Sequence, residues 1–449
     1  MRRQRRLGLG FGAFAVLLAL FLPVSGGAAG AKGNARVVRV SHYPGQNSEV
    51  VQSVDGRYVY ETWIVRHLGI GFARSVNGGR TFGPSKLVPG SGTANGFHGW
   101  DPAVAVAPNG TLYVAFMIDA NVKVGADSRR EMTPVVAVSH DHGKSFTRVS
   151  SLPVPTPTVP PGNWGDREFI AVDRGGTVYV TWDYGPRADQ VRVVCLKTGS
   201  CVFAGGDFNA VVQKSTDGGA TWTMPTPISP GFPLGGAYSA PIVVQPNGTL
   251  DVLYWQHPTN PRTLAVSPGH QYFTRSTDRG KTWSKPVAVG RNAGAIGLYE
   301  WWIDGSLATD PAGNLYASWD TQRGSRDTAW FAWSKDGGRR WSAPLRVAGS
   351  RSEHLIEIAA AGPRDVYVGW QTPVRRKGYA TFLRRLSVGG GWTGPARKIS
   401  AGYGDATIWP GDTFGLSTRG GSALASWGSA IGKAKTSEIY ATVVTLPAP

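Results

Sequence analysis

The chain has 449 residues, a formal net charge of +18 from 47 Lys and Arg against 29 Asp and Glu, and 61 Gly and 31 Pro. Glycine and proline recur between apolar segments along the whole length, which excludes a disordered chain and points to an all-β protein of many short strands joined by turns. The basic excess favours anionic partners; without lysine-rich tracts or aromatic nucleic-acid motifs, it speaks for acidic glycans or anionic surfaces and against nucleic acid.

In chain order, Arg2, Arg3, Arg5 and Arg6 precede an apolar run from Leu7 to Val24, and the small residues Ala29-Gly30-Ala31 follow. That pattern reads as an export signal, residues 1–31, cleaved after Ala31. The run is near the shortest length that spans a bilayer, and no second one follows, so the mature chain is expected to be secreted without a stable membrane span. Cleavage removes four arginines and no acid, taking the charge from +18 to +14. Residues 32–449 form one domain, expected to be a monomer.

Ala35–Ser41 alternates apolar and polar and lies ahead of a series of strands, each led by a turn ending in Gly and each ending in an aromatic residue. Asn109-Gly110-Thr-Leu-Tyr-Val-Ala-Phe116 is the clearest copy; related copies end at Trp63, Trp182, Trp255, Trp319, Trp370 and Trp427. Seven copies, about fifty to seventy residues apart, fit seven four-stranded units arranged radially. The last unit offers only three strands, near Thr413–Thr418, Ser422–Trp427 and Glu438–Thr445, so Ala35–Ser41 is expected to supply its fourth and close the ring.

Downstream of the aromatic-ended strands an octapeptide Ser-x-Asp-x-Gly-x-x-aromatic recurs as Ser139–Phe146, Ser215–Trp222, Ser276–Trp283 and Ser334–Trp341. A fifth copy, Ser75–Phe82, has Asn77 in the Asp place, and a sixth, around Ser387 and Trp392, is degenerate. Its chemistry is structural: Asp accepts turn amides, Gly permits a positive φ, and the aromatic buries beneath the hairpin. Cys195 and Cys201 are the two cysteines. In an exported chain they are expected to form a disulfide that shapes one loop.

These octapeptides resemble the Asp-box, or bacterial neuraminidase repeat, of the sialidase-like β-propellers. The resemblance implies hairpins between the third and fourth strands of each blade and a ligand face on the opposite side, built from the approaches to the first strands and the loops joining strands two and three. Sialidases have six blades, whereas the aromatic strand ends here give seven. The segments Pro102–Leu112 and Pro241–Leu250 are similar to the stretch that follows the family's Arg-Ile-Pro motif. The places of the first substrate-gripping arginine are held by Trp100 and Ser239, leaving Arg167 and Arg323 as candidate substitutes.

On that face the chain places Phe97–Asp101, Asn163–Glu168, Ala237–Ser239, Tyr299–Asp304, Glu353-His354 and Ile408–Asp412. Asp101, Asp166, Glu168, Glu300 and Asp304 are the candidate acids and bases, because paired carboxyls with split pKa values cleave glycosidic bonds. Arg167 and Arg323 are candidates to hold a sugar carboxylate, and Trp100, Trp164, Trp301 and Tyr299 to stack on sugar rings. Basic residues of the strand two-to-three loops, among them Arg129, Arg130, Arg187, Arg326, Arg375 and Arg376, make that face electropositive. The expected function is a secreted propeller that hydrolyses acidic glycans. The alternatives are a non-catalytic glycan or cell-wall binding propeller, and a polysaccharide lyase using His98, His354, Tyr299 or Tyr403 as base. No cofactor is expected and no metal ligand is assigned; calcium binding by the Asp-rich loops stays open, although no loop has the ligand spacing of a recognised calcium motif.

Overall fold

The computed structural model describes residues 36–448 apart from 93–97, 196–200, 206, 231–236, 257–259, 261, 263–268, 291–304, 324–325, 350–353, 375–377, 401–410 and 432–433. The expected signal, residues 1–31, lies outside the described residues. Each of seven antiparallel sheets pairs its strands in chain order from the axis outward. Blade 1 consists of Asn47–Asp55, Tyr58–Val65, Gly69–Ser75 and Lys86–Leu87, and blade 2 of Trp100–Val106, Leu112–Val124, Asp127–Ser139 and Arg148–Ser151. Blade 3 consists of Trp164–Val172, Val178–Gly185, Asn209–Ser215 and Thr226–Pro227. A separate hairpin, Arg192–Cys195 with Cys201–Gly205, lies between its second and third strands and sets Cys195 opposite Cys201 in register.

Blade 4 has a broken inner strand, Ala237–Tyr238 and Ile242–Val244, followed by Leu250–Gln256, His270–Ser276 and Val287–Val289. Blade 5 consists of Ser306–Thr309, Leu315–Arg323, Arg326–Ser334 and Leu345–Arg346. Blade 6 holds His354–Gly362, Asp365–Val374 and Gly378–Ser387, with Gly391–Trp392 and Arg397–Lys398 both pairing on the last of these. Blade 7 comprises Gly415–Arg419, Ser422–Ser429 and Glu438–Val444, and its outer strand is Val38–Arg39, which pairs Val38 with Ala441 and Arg39 with Tyr440. The N-terminal segment thus closes the ring as expected. Each inner strand lies against the next, and that of blade 7 returns to that of blade 1.

The aromatic-ended strands are the second strands of the seven blades, and all seven terminal rings are buried. Their flanking polar positions are buried too: Leu112–Phe116 and Leu250–Gln256 show no exposed residue on either face, because each sheet is sandwiched between neighbours. Apolar residues therefore assemble into one cluster per blade-to-blade seam. Phe72 and Phe116 meet between blades 1 and 2, Met117 and Trp182 between 2 and 3, Tyr179 and Tyr254 between 3 and 4. Leu253 and Trp319, Phe331 and Trp370, Leu383 and Trp427, and Trp63 and Ile439 continue the series back to blade 1. Truncating one of the buried tryptophans to Ala costs about 3–5 kcal/mol at such positions.

The octapeptides form the hairpins between third and fourth strands, and their bonding repeats closely. The Ser Oγ donates to the Asp or Asn Oδ1 at 2.7–2.9 Å and accepts the amide four residues on at 2.8–2.9 Å, as at Ser215, Asp217 and Gly219. Each aromatic plugs the seam between its own blade and the preceding one: Phe82, Phe146, Trp222, Trp283 and Trp341. Trp392 of the degenerate sixth copy does the same between blades 5 and 6. Basic side chains of the preceding blade then donate to the turn carbonyls. Arg74 reaches His142 O at 2.9 Å, Lys86 Gly143 O at 2.7 Å, Arg148 Gly218 O at 3.1 Å and Lys214 Arg279 O at 2.9 Å. Part of the chain's positive charge is thus spent joining one blade to the next.

Candidate functional site

The inner strands carry a shared irregularity. The ladder to the second strand skips two residues between Ser48 and Val51, Trp100 and Ala103, Asp166 and Phe169, and His354 and Glu357. In each gap the first skipped residue is left-handed: Glu49 at φ 58°, Asp101 at 48°, Arg167 at 54° and Leu355 at 52°. Ser239, in the break of blade 4, has φ 52°. A non-glycine residue in this region costs about 1–2 kcal/mol, so the ring of bulges is held against strain by the sheets around it. On the approach to blade 7 the left-handed residue is Gly411, at φ 99°, and a Cβ there would stand 2.1 Å from the Glu49 amide nitrogen. Only glycine fits that close approach.

The bulges of blades 1, 2 and 3 and the approach to blade 7 deliver charged side chains to one place. Carboxylate oxygens of Glu49, Asp101 and Asp412 lie within 4.8 Å of one another. The Arg167 guanidinium forms an ion pair with Asp412, with both side chains only 8% exposed, and the Arg167 amide donates to Asp101 Oδ2 at 3.1 Å. Asp166 and Glu168, on either side of Arg167, are buried. Both Glu168 oxygens and Oδ1 of Asp412 have no hydrogen-bond donor. Asp101, Arg167 and Glu168 line an axial cavity of about 190 Å³, with Gln52, Thr413 and Glu357 on its other sides.

Five buried carboxyls against one guanidinium, counted among the described residues, cannot all ionise. Burial, and then the charges of Asp412 and Asp101, push Glu49 far up; burial, and then the charge of Asp101, do the same to Asp166 and Glu168. Asp412 also rises, because burial outweighs its arginine. Asp101 is the exception: burial raises it, but Arg167 and hydrogen bonds from Asp166 and Glu49 together hold it below the usual carboxylate range. The set is thus split, with Asp101 held down and the four other carboxyls pushed up.

One layer out, Glu61 of blade 1 is fully buried and bridges to blade 7. Ser426 Oγ donates to it at 2.7 Å and Gln52 Nε2 at 2.5 Å, and burial pushes it up to about 8 in spite of both bonds. On blade 3, Asp183 accepts the Ser239 amide of blade 4 at 3.2 Å.

Of the residues proposed from sequence, Asp101, Asp166, Arg167 and Glu168 come together at the axis. Trp100 and Trp164 are half-buried and pack into blade seams, Trp100 beside blades 1 and 3 and Trp164 between blades 2 and 3. Tyr299, Glu300, Trp301 and Asp304 lie outside the described residues, as do Tyr403 and the side chains of Arg323, His354, Cys195 and Cys201. Several basic loop residues are engaged rather than free: Arg129 pairs with Asp127, Arg130 with Asp119 and Arg187 with Asp189. His98 is partly buried, edge-on to His67 at 5.8 Å, and burial first, then His67 and Arg66, lower its pKa. Sequence reasoning missed Glu49 and gave Asp412 no role. The usable signal was position, since Glu49 stands two residues before Val51, where the ladder resumes, as Asp101 stands before Ala103.

No family model and no curated protein matches the chain. Among solved structures, a PL25 polysaccharide lyase, an ulvan lyase bound to -[GlcA(1-4)Rha3S]-, is 11% identical and covers 91% of this chain and 96% of its own, with a TM-score of 0.59. A protein of unknown function from Dyadobacter fermentans is 19% identical over 78% of this chain and 95% of its own, at 0.52. A mutant of the NanB sialidase from Streptococcus pneumoniae is 10% identical over 86% of this chain and 83% of its own, at 0.50. At these identities the likeness concerns the propeller fold alone.

Proposed function

We propose that this chain is a secreted Asp-box propeller that hydrolyses glycosidic bonds in an acidic glycan, acting as a monomer at its axial carboxyl cluster. The observation that carries the reading is Glu168, a buried carboxyl with no donor to either oxygen, lining the axial cavity beside Arg167 and Asp101. A carboxyl kept protonated there is a general acid for the leaving oxygen, and the nearby ionised Asp101 stabilises positive charge developing on the sugar. The solved propellers support a glycan substrate, and the ligand named for the ulvan lyase contains a uronic acid. The repeated octapeptide supports the Asp-box family, and the N-terminal Arg-rich apolar segment supports export.

Incubating the mature protein with uronic- and sialic-acid oligosaccharides tests this directly. Release of a reducing end is expected, with Glu168→Gln and Asp166→Asn lowering the rate about 10²–10⁴-fold while the fold persists. No cleavage of any acidic oligosaccharide, or full activity in both variants, overturns it.

A β-elimination reading rests on His98, which its surroundings keep neutral beside Arg66 and His67, as a proton-abstracting base requires. An ultraviolet-absorbing unsaturated product that His98→Ala abolishes selects the lyase.

A further inference from the structure

We infer that Glu49, Asp101 and Asp412 form a binding seat for one divalent cation of the calcium class at the propeller axis. Each residue comes from a different blade and presents an oxygen within 4.8 Å of the other two. Calcium ligands stand at about 2.3–2.6 Å, so two oxygens on one ion are at most about 4.6–5.2 Å apart, a limit that the three seat oxygens respect. An all-carboxylate donor set selects hard cations over zinc or copper.

Two further observations point to a missing positive charge. Asp412 is 7% exposed and Glu168 is 4% exposed, yet Asp412 Oδ1 and both Glu168 oxygens have no donor. Buried carboxylate oxygens are ordinarily satisfied, and orphaned ones mark a place for a proton or an ion. The backbone is arranged for this contact, since Glu49 and Asp101 are both left-handed and Gly411 lets the Asp412 loop reach the Glu49 amide. Asp101 serves both readings, but the metal count needs no glycan and bond cleavage is read on Glu168→Gln and Asp166→Asn, so the failure of one is distinguishable from the failure of the other.

The mature protein, stripped with a chelator, is dialysed against calcium, magnesium or manganese and its bound metal counted, with thermal unfolding followed in parallel. One calcium ion per chain is expected, with a saturable rise in Tm. Glu49→Gln and Asp412→Asn should each weaken binding at least tenfold, whereas Asp217→Asn, an octapeptide carboxylate at the rim, should leave it unchanged. If Asp412→Asn fails to fold, Glu49→Gln decides. No stoichiometric ion with any of the three metals, or calcium binding unaltered in Glu49→Gln, overturns the seat.

Discussion

At the rim of the propeller, the exposed Asp217 and the half-buried Asp278 are carboxylates held below the usual range, first by the hydroxyls of Thr221 and Thr282 and then by the amides of the same residues. At the axis, Asp166 and Asp412 are buried carboxyls pushed upward by dehydration. Both places use the same side chain at a repeating position of the blade. The rim supplies a donor for the acid oxygens locally, from within eight residues, so each octapeptide is complete by itself. The axis supplies one guanidinium to five carboxyls drawn from four blades, so its electrostatics exist only once the ring has closed. Structural acids are satisfied, and acids poised for chemistry are left wanting.

The largest effect should come from removing the guanidinium that faces the axial acids. Arg167→Met leaves Asp412 and Asp101 buried without their partner, and deleting one member of a buried pair costs about 3–5 kcal/mol. Denaturant unfolding at neutral pH measures it. The loss should shrink at pH 5, where the orphaned acids take up protons. An equal loss at both pH values would mean that Arg167 acts by packing.

Next comes Glu61, whose folded pKa of about 8 lies above its unfolded value. The folded state holds its proton more tightly, so this contribution to stability is intact below about pH 4.5 and declines as pH rises to about 8, with a limiting slope of about 1.4 kcal/mol per pH unit. Glu61→Gln should remove that component, leaving the variant more stable than wild type at pH 9 and little changed at pH 4. Parallel stability curves for the two proteins would contradict it.

How much of this was legible follows the same division. Rim and seams are local: the octapeptide and the aromatic-ended strand repeat within one blade, so seven blades, and the need for an N-terminal closing strand, could be counted along the chain. Asp166-Arg167-Glu168 was visible as a charged triplet. Its partner was not, because Arg167 finds Asp412 across 245 residues and the two share no motif. Glu49 sits in Asn47-Ser48-Glu49, which reads like any polar turn; only the bulge register and the approach of Gly411 give it a role. Two of the three tryptophans chosen as sugar platforms, Trp100 and Trp164, illustrate the converse, since a ring at the head of an inner strand is also where a seam needs filling.

The smallest effects belong to the rim and test whether its acids serve the fold alone. Ser215 Oγ is buried, donates to Asp217 and accepts from the Gly219 amide, so Ser215→Ala orphans a buried amide and should cost about 1–2 kcal/mol. Asp217→Asn keeps an acceptor oxygen for the Thr221 amide, as Asn77 does for Thr81 in the first octapeptide, where Asn77 Oδ1 accepts that amide at 3.0 Å. The asparagine there also donates to the Thr81 hydroxyl at 2.8 Å, so the turn closes without a charge. Asp217→Asn should therefore leave both Tm and glycan turnover at wild-type values, while Ser215→Ala lowers Tm alone. A loss of turnover in Asp217→Asn with Tm unchanged would place chemistry at the rim and erase the division between the two ends of the blade.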